Sequence, residues 1–138
     1  MIEQRGPWQK LSSKIVHENP FFYVHEDEVI RPDGQPGQYN VVETRGAVFV
    51  IALDTDGAFY LIGQHRYTID KFSLELPAGG IEHGDDPLED AKRELAEEAG
   101  LAAKTWKLLG VTYPAKGLLN EPNYSYLATN LTHIGEDS

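Results

Sequence analysis

The chain has 138 residues, 41% of them hydrophobic and 25% charged, with a net charge of −10 and no cysteine. That length suits one globular domain with a core of ordinary size. The absence of cysteine excludes disulfides and thiolate metal sites, the acidity argues against a nucleic-acid backbone as partner, and no apolar run approaches the roughly 18 residues of a membrane span. The opening "MIEQRGPWQK" lacks the apolar stretch of a secretory signal, so the expected setting is cytoplasmic.

In chain order, "SKIVHEN" and "FFYVHEDEVIR" carry the β-branched and aromatic residues of strands. "RPDGQPGQ" is a turn by its Pro-Asp-Gly and Pro-Gly pairs, and "YNVVETR" is the returning strand. "GAVFVIAL" is a continuous apolar run of strand length, the pattern of a strand covered on both faces. "DTDG" turns the chain and "AFYLIGQHRY" returns it. "FSLELP" is a short strand closed by Pro77, and "AGGIEHGDD" is expected to be loop. Asp86 as N-cap and Pro87 in the first turn open a helix to Ala99, where Gly100 stops it. Leu88, Ala91, Leu95 and Ala99 form its apolar face. "KTWKLLGVTY" and "NYSYLATNL" are two further strands, separated by the loop "PAKGLLNEP". Strands, one helix and strands again predict a mixed sheet with a covering helix.

The helix has an unusual charge pattern. Glu94 and Glu98 lie four apart on one face and Glu97 borders it, near a C-terminus where the helix dipole disfavours anions. Like charges at these spacings each cost a few tenths of a kcal/mol. Lys92 and Arg93 can offset that cost on a solvated face, where Glu89–Arg93 is an attractive pair and Asp90–Glu94 a repulsive one. The other reading is a hard divalent cation, which takes oxygen ligands and leaves room for substrate phosphates. Gly79, Gly80 and Gly84, with Glu82 and Asp85, precede the helix and let a phosphate or metal approach the main chain.

These residues resemble the Nudix hydrolase family, whose box reads G-x5-E-x7-R-E-U-x-E-E-x-G-U with U bulky and aliphatic. Gly79, Arg93, Glu94, Leu95, Glu97, Glu98, Gly100 and Leu101 fill it in register, and Asp85 stands at the first Glu position. The resemblance implies a Nudix-type α/β/α sandwich with a mixed sheet, and Mg2+ or Mn2+ held by Glu94 and Glu98 with Glu97 joining. It implies that Arg93 braces the loop carboxylates, as does the residue at position 85. "QHRYTIDKFSLELPAGGIE" is similar to the approach to the box in ADP-ribose pyrophosphatases and related nucleoside diphosphate sugar hydrolases, with His65 as a departure. In that subgroup the carbonyl matching Ala78 binds metal and the arginine matching Arg66 contacts substrate. "YPAKGLLNEP" is similar to their downstream loop, with Pro114, Gly117 and Glu121.

The expected reaction is hydrolysis of a nucleoside diphosphate sugar, with ADP-ribose giving AMP and ribose 5-phosphate. Other nucleoside diphosphate derivatives, such as GDP-mannose or a dinucleotide, and a non-catalytic nucleotide-binding module are the alternatives. A bound cation would neutralise the pyrophosphate and lower the pKa of a coordinated water. Glu121 is the candidate base and Glu97 its rival. Lys116 can meet phosphate oxygens or stand exposed, and Trp8, Phe22 and Tyr23 can stack on a base or pack in a core or a dimer interface. His25, His65 and His83 have no metal-ligand spacing and are read as surface or packing residues. Residues 1–45 resemble an N-terminal β extension that completes a homodimer, leaving 46–138 as the hydrolase domain. Relatives continue beyond "LATNLTHIGEDS" into a helix over the sheet; here further chain or the dimer is expected to close that face.

Overall fold

The computed structural model describes residues 2–82 and 86–134. The chain divides into two compact units, one running to Thr44 and including Tyr113–Glu121, the other comprising Arg45–Thr112 and the chain from Pro122.

The first unit is a four-stranded antiparallel sheet in the order β1-β2-β3-β4: β1 (Glu3–Arg5), β2 (Trp8–Glu18), β3 (Tyr23–Ile30) and β4 (Pro36–Glu43). β1 has three residues, all exposed, too short a run to mark itself as a strand in the sequence. Gly34, at φ 84°, makes the turn between β3 and β4, and its amide donates to the Arg31 carbonyl at 2.8 Å. β4 begins at Pro36, so the turn is shorter than the proline and glycine content suggested. Alternation in β3 buries His25, Asp27 and Val29 on one face. The segment Tyr113–Glu121 is held to β4: the Val42 amide donates to the Leu118 carbonyl at 2.9 Å and the Tyr39 hydroxyl to the Gly117 carbonyl at 2.8 Å.

The second unit carries the mixed sheet, in the order β8-β5-β10-β9: β5 (Ala47–Ala52), β8 (Ala78–Gly80), β9 (Leu101–Thr112) and β10 (Asn123–His133). β5 and β10 run parallel and the other pairs antiparallel, as the expected mixed sheet requires. β6 (Ile62–Arg66) and β7 (Lys71–Glu75) form a separate two-stranded ribbon. One helix, α1 (Pro87–Ala99), packs against β5, β8, β9 and β10.

Caps and apolar period define α1. The Asp86 side chain accepts from the Leu88 amide at 3.0 Å, Pro87 fits the first turn, and Gly100 closes the helix at φ 66°. Ala91 and Leu95 are fully buried against Val48, Val50, Ala52, Leu101 and Ala128. Full burial of each larger aliphatic side chain there contributes about 1.5–3 kcal/mol. Val48, Val50 and Ala52 are fully buried on one face of β5, while Ala47, Phe49 and Ile51 on the other are half-buried.

Ala78–Gly80 is a strand, not the expected loop. It pairs antiparallel with β5 through Ala47–Gly80, Val48–Gly79 and Phe49–Ala78. Glycine lowers strand propensity locally, but the free edge of β5 supplies the ladder partners that override it.

Candidate metal and pyrophosphate site

β8 and the C-terminal half of α1 build the acidic cluster. Glu98 Oε1 accepts the Ala78 amide at 2.8 Å, which ties the helix to the strand edge. Glu94 is half-buried beside Gly79, where a Cβ would overlap its carboxylate. Glycine at position 79 therefore makes the space that Glu94 occupies. Burial, then the charge of Glu98, with lesser contributions from Glu97 and Asp90, raises the Glu94 pKa despite the opposing charge of Arg93. Glu97 is exposed and lies 3.8 Å from Arg93 Nε.

Arg93 gathers the carboxylates. Its Nη1 donates to Asp90 Oδ1 at 2.7 Å and its Nη2 to Glu94 Oε1 at 3.3 Å, with Glu82 at 3.8 Å. Asp90 is fully buried and also accepts the Glu82 amide at 3.3 Å. The reading of Asp90 as part of a solvated repulsive face is thus corrected: it anchors Arg93 from inside, three residues earlier on the helix. Glu89 pairs with Lys92 at 3.5 Å, not with Arg93.

These residues fit a hard divalent ion by their donor chemistry, a crowded set of carboxylates beside a strand edge that admits no side chain. Among the described residues, no three acidic or imidazole side chains form a closed metal-binding group. A hard divalent ion takes one or two carboxylates and completes its shell with water and phosphate oxygens.

Arg66 is exposed and engaged with Glu75, its Nε and Nη2 donating at 2.8 and 2.5 Å. The hydrogen bond from Arg66, then one from Ser73, brings the Glu75 pKa down to about 2, so this pair stays charged throughout the neutral range. The place of Glu75, nine residues from Arg66 in the chain, becomes informative only once β6 pairs with β7.

The other candidates, His65 excepted, belong to the first unit. Trp8 and Lys116 line a cavity of about 420 Å³, together with Arg5, Lys10, Tyr39 and Asn120. The Trp8 ring meets Tyr39 edge to face at 5.6 Å. Phe22 and Tyr23 stand near His17 and His25, with ring centroids 5.8 and 6.2 Å apart. Glu121 Oε1 accepts from the Thr44 hydroxyl at 3.2 Å. His65 is an exposed partner of Asp70 at 2.9 Å. His25 exceeds its reading as a surface or packing residue: it is buried between Asp27 and Glu43 at 2.8 and 2.9 Å. His83, Gly84 and Asp85 lie outside the described residues.

Residues 43–135 match the NUDIX domain, and residues 8–42 match the nucleoside diphosphate sugar hydrolase N-terminal domain. The chain belongs to the NUDIX family. It is similar to an ADP-ribose pyrophosphatase of Mycobacterium tuberculosis, 37% identical over 93% of this chain and 62% of that protein. An ADP-ribose pyrophosphatase of Bacillus subtilis is 31% identical, over 93% of this chain and 66% of its own length. The chain thus spans somewhat under two thirds of these relatives. A crystal structure of an ADP compounds hydrolase shares the fold, with a TM-score of 0.82 and 23% identity over 94% of this chain and 70% of that one. Among the described residues, no helix is long and apolar enough to cross a membrane.

Proposed function

We propose that the protein hydrolyses the pyrophosphate bond of a nucleoside diphosphate sugar, with ADP-ribose giving AMP and ribose 5-phosphate. The observation that carries this reading is the acidic cluster at the β8 edge, where Glu94 sits against Gly79 and Glu98 binds the Ala78 amide within the NUDIX match. Glu94 and Glu98, with Glu97 and the Ala78 carbonyl, are the proposed holders of Mg2+ or Mn2+. Such an ion supplies charge neutralisation and Lewis acidity at the phosphoryl oxygens. Arg93 keeps the cluster's carboxylates together. Arg66, pre-oriented by Glu75, is proposed to pair with substrate phosphate, and Trp8 and Lys116 to contact the substrate. Glu121 is the proposed proton acceptor, with Glu97 as rival.

The names of the two relatives favour ADP-ribose over GDP-mannose or a dinucleotide. The retained Glu94, Glu97 and Glu98 argue against a non-catalytic module. A homodimer completed by residues 1–45, with 46–138 as the catalytic part, and a cytoplasmic setting belong to the same proposal. The match of residues 8–42 to an N-terminal domain of sugar-nucleotide hydrolases supports that division. The test is release of AMP and ribose 5-phosphate from ADP-ribose with Mg2+ or Mn2+, beside nucleotide sugars, dinucleotides and triphosphates, with E98Q as control. Metal-dependent turnover lost in E98Q supports the reading, and failure of every compound with both metals overturns it.

A further inference from the structure

Buried charge in the first unit forms a chain that ends at the loop carrying Glu121. His25 Nδ1 lies 2.8 Å from Asp27 Oδ1 and its Nε2 lies 2.9 Å from Glu43 Oε1. The other oxygen of Glu43 accepts from Asn120 Nδ2 at 2.5 Å. Asn120 immediately precedes Glu121, and its main-chain N–H also donates to the Val42 carbonyl at 3.4 Å. Thr44, next to Glu43, donates its hydroxyl to Glu121. One end of β4 thus holds two successive residues of the loop by side-chain contacts.

We infer that His25 is a positioning residue that acts through Glu43 and Asn120 to fix the loop bearing Glu121. The inference rests on the hydrolase reading for its catalytic consequence and on the geometry alone for the coupling. Two ring nitrogens, each facing a carboxylate, can both donate only when the ring carries both protons. A neutral ring has one N–H, so one carboxylate loses its donor. If that carboxylate is Glu43, the strap to Asn120 loosens with it.

The groups facing His25 are Asp27 on its own strand, Glu43 on β4, and Ser13 on β2, whose hydroxyl lies 3.4 Å from Nδ1. Tyr23 stands 6.2 Å away between ring centroids, and Lys10, Arg5 and Lys116 line the same cavity. Lys10 also attracts Asp27 and Glu43, in competition with the imidazolium. Burial lowers the His25 pKa, but the hydrogen bonds and charges of Asp27 and Glu43 outweigh it, and the net shift is upward. The strap is therefore complete at acidic pH and slackens as the pH rises through the raised pKa.

The test pairs NMR with kinetics on the full chain. His25 ring nitrogens and the Asn120 side-chain amide are followed against pH in wild type and in E43Q. The expected result is a ring that keeps both protons to higher pH than a free imidazole and an Asn120 side-chain amide that titrates with it in wild type but not in E43Q. An Asn120 amide that ignores His25 overturns the inference whether or not the protein turns over ADP-ribose. With ADP-ribose and Mg2+, N120A, at an exposed position, is expected to lower kcat about ten- to a hundredfold with KM little changed. H25Q is expected to remove the alkaline fall of kcat, and H25Q/N120A to be no worse than N120A. Additive losses with an unchanged pH profile would refute the strap while leaving the hydrolase reading intact.

Discussion

Arg93 Nη1 donates to the carboxylate of Asp90 at 2.7 Å, and that carboxylate is sealed from solvent. A buried charge with its partner removed is expensive, so this pair fixes the guanidinium from which Glu82, Glu94 and Glu97 are reached. D90N removes the charge-assisted bond to Arg93 and is expected to lower stability by about 1.5–3 kcal/mol, read as a fall in the urea midpoint at constant m value. A change within about 0.5 kcal/mol would show that Asp90 is not the anchor.

Gly79 makes room for Glu94. G79A forces the Glu94 carboxylate away from the strand edge, a shift that the far end of its side chain can make. Mg2+-dependent turnover is expected to fall at least about tenfold, with a higher Mg2+ concentration for half-maximal rate. Wild-type Mg2+ dependence in G79A would remove Glu94 from the metal site.

Like charges at the cluster oppose folding in the absence of a cation. In EDTA, E94Q is expected to melt higher than wild type by roughly 3–5 °C for each kcal/mol of repulsion relieved. Added Mg2+ should raise the wild-type Tm and leave E94Q nearly unmoved. A lower Tm for E94Q in EDTA would mean that the Arg93 contact outweighs the repulsion.

Arg66 is aimed by Glu75. E75Q keeps the shape but not the charge, and R66K cannot form the two-pronged contact. Both variants are expected to raise KM for ADP-ribose several-fold with a smaller effect on kcat, the signature of lost uniform binding. A KM unchanged in R66K would exclude Arg66 from substrate contact.

His25 contributes to stability with a definite sign. Its pKa is raised on folding, so its contribution is complete below the unfolded value near 6.5 and lost as pH rises through the folded value. The Tm difference between wild type and H25Q is expected to be largest below about pH 6.5 and to shrink on the alkaline side. A difference that grows with pH would show that the ring is held neutral.

The parts of the fold set by local rules were legible in the sequence. α1 begins and ends where Asp86, Pro87 and Gly100 dictate, because caps act within a single turn. β8 was hidden because its existence depends on the edge of β5, thirty residues earlier in the chain, and not on Ala78, Gly79 and Gly80 themselves. The glutamates announced themselves by mutual repulsion, but Asp90 looks like any other acid in the run. Its burial follows from the side of α1 that meets the sheet, a tertiary choice. Glu75 and Glu43 matter through cross-strand partners, which no spacing along the chain encodes.

β10 lies between β5 and β9, and its parallel ladder with β5 joins residues about eighty positions apart. A ribosome delivers β5, β8 and α1 well before this middle strand. Until Asn123–His133 emerges, the nascent sheet offers an unfilled slot flanked by apolar chain, a template for pairing with a neighbouring copy. Closure of so long a loop is slow, and the vulnerable interval is set by topology and not by final stability. Yield in expression should therefore respond to synthesis rate and chaperone supply more than to substitutions that merely strengthen the finished core.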